Sequence, residues 1–279
     1  MTHSLFTKLS LSKQCLRRGI PVKALTRTGA WTAPPTPPGA ITTYTGDASS
    51  LLTIDQCDVT SVDLSTLKQL LQGCSAVIYA ASASKQGGAA IDVDNRGVIQ
   101  VAEAALAAKV PRYVVISSTS TTRPKSLGYI FTNLGVGGNI MGEKRNGEVG
   151  TMDAYQAAAN TACSYTIVRP GGLEEPKRNS VLGLQEVELS QGDVFAGVIS
   201  RADVAETTVE LALSNMPNLQ NTAVELYYAN SVVEVQGSFK KLLARAKIEG
   251  SPENQQLRLH GTTYTELFQK IRPNVDFAP

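Results

Sequence analysis

Histidine is almost absent from this chain of 279 residues, and cysteine is scarce. His3 and His260 lie near opposite ends, so neither a histidine-based metal centre nor a Ser-His-Asp triad is expected. The cysteines have no Cys-x-x-Cys spacing, as is usual for reduced thiols in an intracellular protein; they are Cys15, Cys57, Cys74 and Cys163. No stretch approaches the roughly 18 consecutive apolar residues of a membrane-spanning helix. A net charge of +2 does not indicate a nucleic-acid partner.

The start of the chain lacks two further residue types. No acidic residue precedes Asp47, and no glycine precedes Gly19. A basic, acid-free segment rich in serine and threonine resembles an organelle transit peptide, which would place the protein in a plastid or mitochondrion. Alternatively, residues 17–22 are the end of a helix that enters a strand, and the protein is cytoplasmic.

Apolar segments and amphipathic segments alternate along the chain. The apolar segments predict strands at 22–26, 51–59, 76–80, 113–119, 165–172 and 225–228. Helical spacing predicts helices at 63–72, 92–109, 144–162 and 201–213. This alternation indicates right-handed βαβ units in one doubly wound parallel sheet, an α/β fold.

A nucleotide site in such a sheet requires a glycine-rich turn after the first strand. That turn presents backbone N–H groups to phosphates. Residues 1–12 are too irregular in hydrophobicity for a buried strand, and no glycine follows them until Gly19. The first strand and its glycine loop are therefore absent or atypical.

Residues 135–142 only partly match two phosphate-binding motifs. Gly135-Val136-Gly137-Gly138-Asn139-Ile140 begins like a dinucleotide loop, but Ile140 replaces the last glycine. The spacing from Gly137 to Gly142 fits a P-loop, but Glu143 stands where a lysine is required and would repel phosphate. We predict a flexible glycine-rich loop here.

Candidate functional residues follow the predicted strands. Ser117, Ser118 and Thr119 end one strand, and Pro170-Gly171 ends the next, with Lys144 on the helix between them. Parallel strands gather their carboxyl ends at one edge, so we expect Lys144 to share a cleft with Ser117 and Pro170. The open alternatives are structural hydroxyls and a solvated lysine.

Arg27 follows the strand at 22–26, where an acidic residue would bind the ribose of NAD. An arginine there suits the 2′-phosphate of NADP through its charge and forked geometry. The alternative is a solvated loop arginine.

Five segments together resemble the atypical short-chain dehydrogenase/reductases. The resemblance spans roughly Gly19 to Phe268, and its last two segments are the most specific. The segments are Gly73-Cys74-Ser75-Ala76-Val77-Ile78-Tyr79-Ala80-Ala81-Ser82; Ile116-Ser117-Ser118; Lys144 with Gly147-Glu148; Tyr165-Thr166-Ile167-Val168-Arg169-Pro170-Gly171-Gly172-Leu173; and Ile199-Ser200-Arg201-Ala202-Asp203-Val204-Ala205.

The resemblance implies a single NAD(P)-binding-like domain over residues 1–279, Rossmann-like, with a small C-terminal substrate region. It also implies roles for individual residues. Arg27 would lie near the 2′-phosphate, Asp58 and Val59 near the adenine, and Ser117 near the nicotinamide; Ala80, Ala81 and Ser82 would follow the cofactor, Lys144 would reach the nicotinamide ribose, and Pro170-Gly171 would close over the ring. One departure is that Ile140 replaces the tyrosine of the Y-x-x-x-K pair, so that position has no proton donor.

Two functions remain open at this point. The first is an NADP-dependent oxidoreductase acting on a small carbonyl or unsaturated substrate, in which Ser118 or Thr119 polarises the acceptor and Lys144 orients the ribose. The second is a non-catalytic protein of the same fold that senses the cofactor or assists assembly with a protein partner. Without a glycine loop, we expect NADP to bind weakly.

Overall fold

The computed structural model describes residues 3–30, 48–83, 88–174, 182–234 and 257–272. Its helices are α1 His3–Arg17, α2 Ala48–Leu51, α3 Leu64–Leu71, α4 Gly97–Ala107, α5 Leu127–Val136, α6 Ile140–Ala158, α7 Arg201–Leu213 and α8 Tyr264–Gln269. A π-helical segment, Ile91–Arg96, leads directly into α4. The longer strands are β1 Val22–Thr26, β2 Leu52–Gln56, β3 Ala76–Tyr79, β4 Arg112–Ile116, β5 Ser164–Pro170, β7 Val187–Ser190 and β10 Thr222–Tyr228. Two-residue strands are β6 Gly172–Leu173, β8 Phe195–Ala196, β9 Val198–Ile199 and β11 Val233–Glu234.

The main sheet has the order β3-β4-β5-β10-β7. Its first four strands are parallel, and β7 pairs antiparallel with β10 at the edge. This mostly parallel α/β arrangement confirms the predicted fold class. The prediction of one continuous sheet was wrong for the described residues, because β1 and β2 form a separate parallel pair.

Helices cover both faces of the main sheet. On one face, α3, α4 and α6 pack against Tyr113, Tyr165 and Ile167. On the other face, α7 and α8 pack against Val114, Val168 and Val224. The two sets alternate along β4 and β5, as side chains on opposite faces of a strand must. The continuous apolar sequence of these strands follows from burial on both faces.

The first described element is helix α1, and its end at Arg17 shortly before β1 agrees with the alternative that residues 17–22 are the end of a helix that enters a strand. Helix α1 has buried Leu11 and Leu16 and is followed by Gly19, whose positive φ of 67° suits the turn into β1. Within the described residues, α1 is the element that precedes β1. No helix of the described part of the chain is long and apolar enough to cross a bilayer.

Local sequence signals set the starts of two helices. Asp63 caps α3 by accepting a hydrogen bond from the backbone N–H of Thr66 at 2.9 Å. Ser200 caps α7 by accepting one from the N–H of Asp203 at 3.1 Å. These Asp and Ser caps satisfy N–H groups that have no partner inside the helix. The Ser200–Asp203 cap thus fixes the start of the segment Ser200-Arg201-Ala202-Asp203, which belongs to the last of the five segments that resemble the short-chain dehydrogenase/reductases.

Candidate functional site

The carboxyl ends of β3, β4 and β5 lie side by side and carry most of the predicted residues. Backbone pairing continues past the strand ends, since Ser117 N–H donates to Val168 at 2.7 Å and Thr119 N–H donates to Pro170 at 2.9 Å. Gly171 is then fixed by donating to Leu226 at 2.8 Å. The structure thus places Ala80 to Ser82, Ser117 to Thr119 and Pro170-Gly171 at one edge.

Lys144 forms an ion pair with a buried carboxylate that is hydrogen-bonded to the segment after β3. Its ammonium lies 2.7 Å from Asp94, whose side chain is 1% exposed. Asp94 also accepts hydrogen bonds from the Ser82 hydroxyl at 2.8 Å and from Ala83 N–H at 2.7 Å. Asp94 therefore joins helix α6 to the segment after β3 and fixes the position of Lys144.

A glycine allows this approach of α6 to the π-helical segment. A Cβ atom on Gly147 would lie 2.3 Å from the carbonyl oxygen of Asp94, so a side chain at this position would force the two helices apart. Gly147 lies one turn after Lys144 on α6, which is why the ammonium can contact Asp94. Gly147 therefore has a direct role in positioning Lys144 beside Asp94.

A second buried network lies beneath the hydroxyl-bearing strand. Glu148 accepts two hydrogen bonds from Arg169, at 3.1 and 2.8 Å, and Arg169 also contacts Glu225 at 3.3 Å. Burial alone would raise the pKa of Glu148, but Arg169, together with Ser117 and Arg145, outweighs burial and the pKa is lowered. Glu148 is therefore a buried carboxylate held by two guanidinium groups, those of Arg169 and, at 3.2 Å, Arg145.

Ser117, at the end of β4, lies next to Glu148 of this network. Its buried hydroxyl favours the ionised form of Glu148. It does not reach hydrogen-bonding geometry with any group of the described residues. A buried hydroxyl without a full partner is uncommon and costs free energy. This hydroxyl is the one polar atom among the predicted site residues that is left in that state.

The other two predicted hydroxyls differ in accessibility. Ser118 is half-buried, and its hydroxyl donates to the carbonyl of Thr119 at 3.2 Å. Thr119 is buried at 7% exposure. The next residues are anchored by Asp193, which accepts hydrogen bonds from the N–H groups of Ser120 at 2.6 Å and Thr122 at 3.0 Å. The hydroxyl strand therefore runs into a rigid turn, with Ser118 its more accessible member.

Arg27, Asp58 and Val59 lie at the ends of the separate strands β1 and β2. Arg27 is exposed, and its charge contributes to lowering the pKa of Asp58, after the larger effect of hydrogen bonds from Thr60. Val59 packs between the core and the Val93 cluster, close to Gly97. Arg27 and Asp58–Val59 thus lie at the ends of the two strands of the small sheet, which is separate from the main sheet that carries the other predicted residues.

Ile140, at the tyrosine position of the Y-x-x-x-K pair, opens α6 and is buried with Met141, Ala90 and Val93. The prediction of a flexible glycine-rich loop at residues 135–142 was wrong, because α5 extends to Val136 and α6 begins at Ile140. Val136 ends α5, a helix not predicted from the sequence, and Gly137, Gly138 and Asn139 form a tight left-handed turn with φ of 86°, 64° and 52°. This turn joins two helices and does not follow a strand, so it lacks the setting of a phosphate loop.

Sequence reasoning missed Asp94 as the partner of Lys144. Glu148 and Arg169 stand in two of the segments that resemble the short-chain dehydrogenase/reductases, but the sequence does not show that they pair. Helical spacing offered one signal, because Glu148 lies four residues after Lys144 and shares its face of α6. Asp94 contacts Lys144 across 50 residues, and no local pattern marks such a pair.

The residues fit the two ends of a dinucleotide better than its middle. Lys144 and the incompletely partnered Ser117 hydroxyl suit the nicotinamide end, and Arg27 suits a ribose phosphate. The described residues include no glycine-rich turn at the start of α1 to receive the pyrophosphate. They also include no group of three or more His, Cys, Asp or Glu side chains placed to hold a metal ion.

The sequence profile of a family described as NAD(P)H-binding matches residues 9–215. The chain belongs to this NAD(P)H-binding family. The resemblance to atypical short-chain dehydrogenase/reductases is thereby confirmed.

One curated relative of this NAD(P)H-binding chain is Protein TIC 62, chloroplastic, of Pisum sativum. It is 30% identical over 172 residues, which cover 60% of this chain and 30% of the relative. The chain therefore spans less than a third of that protein's length.

Two solved structures share the fold of this NAD(P)H-binding chain. The oxidoreductase ylbE from Lactococcus lactis superposes with a TM-score of 0.58 at 19% identity, covering 85% of this chain and 91% of that chain. A short-chain dehydrogenase/reductase from Veillonella parvula in complex with NADP has a TM-score of 0.56 at 12% identity, covering 80% and 90%. At these identities the likeness establishes the fold alone.

Proposed function

We propose that this protein binds NADP along the carboxyl edge of its sheet and acts as an oxidoreductase on a small carbonyl or unsaturated substrate. The observation that supports this most is the buried Lys144–Asp94 pair, which a hydrogen bond from Ser82 to Asp94 ties to the segment after β3. Family membership supports the cofactor class. The preference for NADP over NAD rests on Arg27.

Each end of the cofactor would have its own set of residues. Arg27 would bind the 2′-phosphate, with Asp58 and Val59 near the adenine. Ala80, Ala81 and Ser82 would lie along the cofactor. At the other end, Ser117 and Lys144 would face the nicotinamide ribose, and Pro170-Gly171 would close over the ring.

Bound NADPH would supply a hydride to the substrate. The protein would orient the reacting groups, because Asp94 fixes Lys144 and thereby limits the motion of its long side chain. The accessible Ser118 hydroxyl, or that of Thr119, would donate a hydrogen bond to the acceptor oxygen as negative charge develops there. Ile140 cannot supply a proton, so solvent or one of these hydroxyls would have to relay it.

A second candidate is a non-catalytic cofactor sensor or assembly factor with a protein partner. The specific observation in its favour is Ile140, which is 3% exposed within an apolar cluster and leaves no proton donor at the tyrosine position. Residues 1–279 would form one domain in either case. The name of the chloroplast relative makes a plastid setting the favoured organellar option.

Consumption of NADPH with a panel of small aldehydes, ketones and enones separates the two candidates. For the oxidoreductase, turnover should fall by about 10²-fold in Lys144→Met, the scale of a lost positioning contact. The matched variant Lys125→Met, at an exposed lysine, should leave it unchanged. NADPH binding without consumption of any panel member would favour the sensor.

A further inference from the structure

A cleft with a volume of about 360 Å³ opens at the amino ends of the main-sheet strands. Among the residues that line it, Ser75 directly precedes β3, Arg112 begins β4 and Ser164 begins β5. Leu213, the last residue of α7, and Asn215 also line the cleft. Because β3, β4 and β5 are parallel, their amino ends lie at the opposite edge of the sheet from the candidate cofactor site. The cleft is therefore separate from that site.

The lining of the cleft divides into buried and exposed residues. Arg112 is 6% exposed and Ser164 is 4% exposed, whereas Ser75 and Asn215 are exposed. Arg112 and Ser164 are also register partners on neighbouring strands. The two buried residues therefore form the floor of the cleft, and the exposed residues form its rim.

The guanidinium of Arg112 donates to two neutral acceptors. It donates to the Ser164 hydroxyl at 2.9 Å and to the Ser214 carbonyl at 2.6 Å. The second hydrogen bond caps the end of α7, a usual position for an arginine side chain. A guanidinium has five N–H donors in a fixed fork. Donors of Arg112 therefore remain without an acceptor among the described residues, and a ligand in the cleft can use them.

The charge of Arg112 also lacks a counter-charge. Burial lowers the pKa of Arg112, and no carboxylate of the described residues offsets this effect. Arg169, on the neighbouring strand β5, is buried as well but contacts two carboxylates, those of Glu148 and Glu225. Buried charges are normally paired, because the removal of a lone charge from water is costly. An anion in the cleft would supply the counter-charge that Arg112 lacks.

We propose that this cleft binds the phosphate or carboxylate group of a small molecule. The planar fork of a guanidinium matches either group, since both accept two parallel hydrogen bonds. The Ser75 hydroxyl and the side-chain amides of Asn215 and Gln220 line the same cleft and add uncharged donors.

The charge and size of the cleft support this class of ligand. Arg112 is the one charged residue among the described residues that line it, so no acidic side chain of this lining repels an anion. The volume of about 360 Å³ lies within the usual range of small-molecule pockets, which leaves room for the rest of the ligand beside its charged group.

Titration of the full chain with inorganic phosphate and, separately, with acetate tests the proposal. Sodium chloride at matched ionic strength is the reference, because salt alone screens exposed charges. In NMR spectra of the isotope-labelled protein, the Arg112 Nε–H signal and the backbone amide signals of Ser75 and Asn215 should shift and saturate. We expect a Kd of about 1 mM or below for at least one of the two anions. The anion that saturates these signals at lower concentration identifies the group as phosphate or carboxylate.

A matched pair of substitutions at the rim tests the role of charge without removing Arg112. Ser75→Asp adds a carboxylate to the cleft, and Ser75→Asn is the neutral control of the same size. The added carboxylate should pair with Arg112 or repel the incoming anion, so affinity should fall at least about tenfold, against less than about threefold for Ser75→Asn. NADPH binding should be the same in both variants, because Ser75 lies at the opposite edge of the sheet from the proposed cofactor site.

Three results would overturn the proposal. The first is a set of shifts that sodium chloride reproduces in full. The second is a response that does not saturate at Arg112 and spreads over the exposed cations of the surface. The third is equal anion affinity of Ser75→Asp and Ser75→Asn. Arg112 would then serve only to cap α7 and to join β4 to β5.

Discussion

At the scale of single residues, two neighbouring aspartates illustrate how burial decides the value of an ion pair. Asp94 is 1% exposed and pairs with Lys144, whereas Asp92 is 39% exposed and pairs with Arg96 at 3.2 Å. Removing one partner of a buried pair leaves an uncompensated charge, while exposed pairs contribute little. The two sites provide matched substitutions on the same segment.

Asp94→Asn should lower the free energy of unfolding by about 3–5 kcal/mol, because the Lys144 ammonium loses its counter-charge in a nearly buried site. Asp92→Asn should change it by less than about 1 kcal/mol. Urea denaturation measures both. If the two substitutions changed the free energy of unfolding equally, the Asp94–Lys144 pair would not have the stabilising role that its burial implies.

At the scale of elements, the Glu148–Arg169–Glu225 network holds α6, β5 and β10 together. Glu225 also accepts a hydrogen bond from Ser190 of β7 at 3.0 Å. Burial raises the pKa of Glu225 to about 7, with Asp193 adding to the shift and Arg169 opposing it. The folded state therefore holds a proton on Glu225 at pH values where the unfolded chain has lost it.

This difference gives a signed pH dependence. A carboxyl group whose pKa is raised on folding contributes stability below its unfolded pKa of about 4.3, and this contribution is lost as pH rises through about 7. Glu225→Gln should remove this component, so the stability of the variant should fall less than that of the parent between pH 5 and pH 8. Thermal melts across this range measure it, and parallel pH profiles would refute the assignment.

Local pattern predicted the elements whose signals lie within a few residues, but not those whose structure depends on distant contacts. The bounds of β1 and α7 agree with their predictions, since an apolar strand and a capped helix carry their signals within a few residues. Helix α5 was missed because Ile130, Phe131, Leu134 and Val136 are exposed, so it has no apolar stripe matched to a core. The antiparallel strand β7 lies in a segment where no short-range pattern indicated pairing with β10.

At the scale of the whole molecule, the sequence correctly indicated a mostly parallel α/β fold. It did not indicate that β1 and β2 form a sheet of their own. Which strands pair depends on how the elements are placed in space, and a local sequence pattern does not show this. Of the candidate residues, those that follow β3, β4 and β5 lie at one edge, as the parallel strand order predicted; that Lys144 shares a cleft with Ser117 and Pro170 stays a prediction. The sequence could not identify Asp94, which is 50 residues from Lys144.

The site predicts weak cofactor binding that depends on charge. Because the described residues include no glycine-rich turn for the pyrophosphate, we expect affinity to rest on Arg27 and other exposed cations, and salt screens such interactions. Arg27→Ala should weaken NADPH binding by about 1.5–3 kcal/mol and leave NADH binding unchanged. Arg96→Ala, at an arginine whose side chain is 71% exposed, is the charge-matched control.

Calorimetric titration with NADPH at low and high salt tests the account most directly. The predicted Kd is on the order of tens of micromolar, about 6–7 kcal/mol of binding free energy, and it should rise with ionic strength. NADH should bind more weakly than NADPH. Submicromolar binding that salt does not change, or no binding of either nucleotide, would contradict the proposed site.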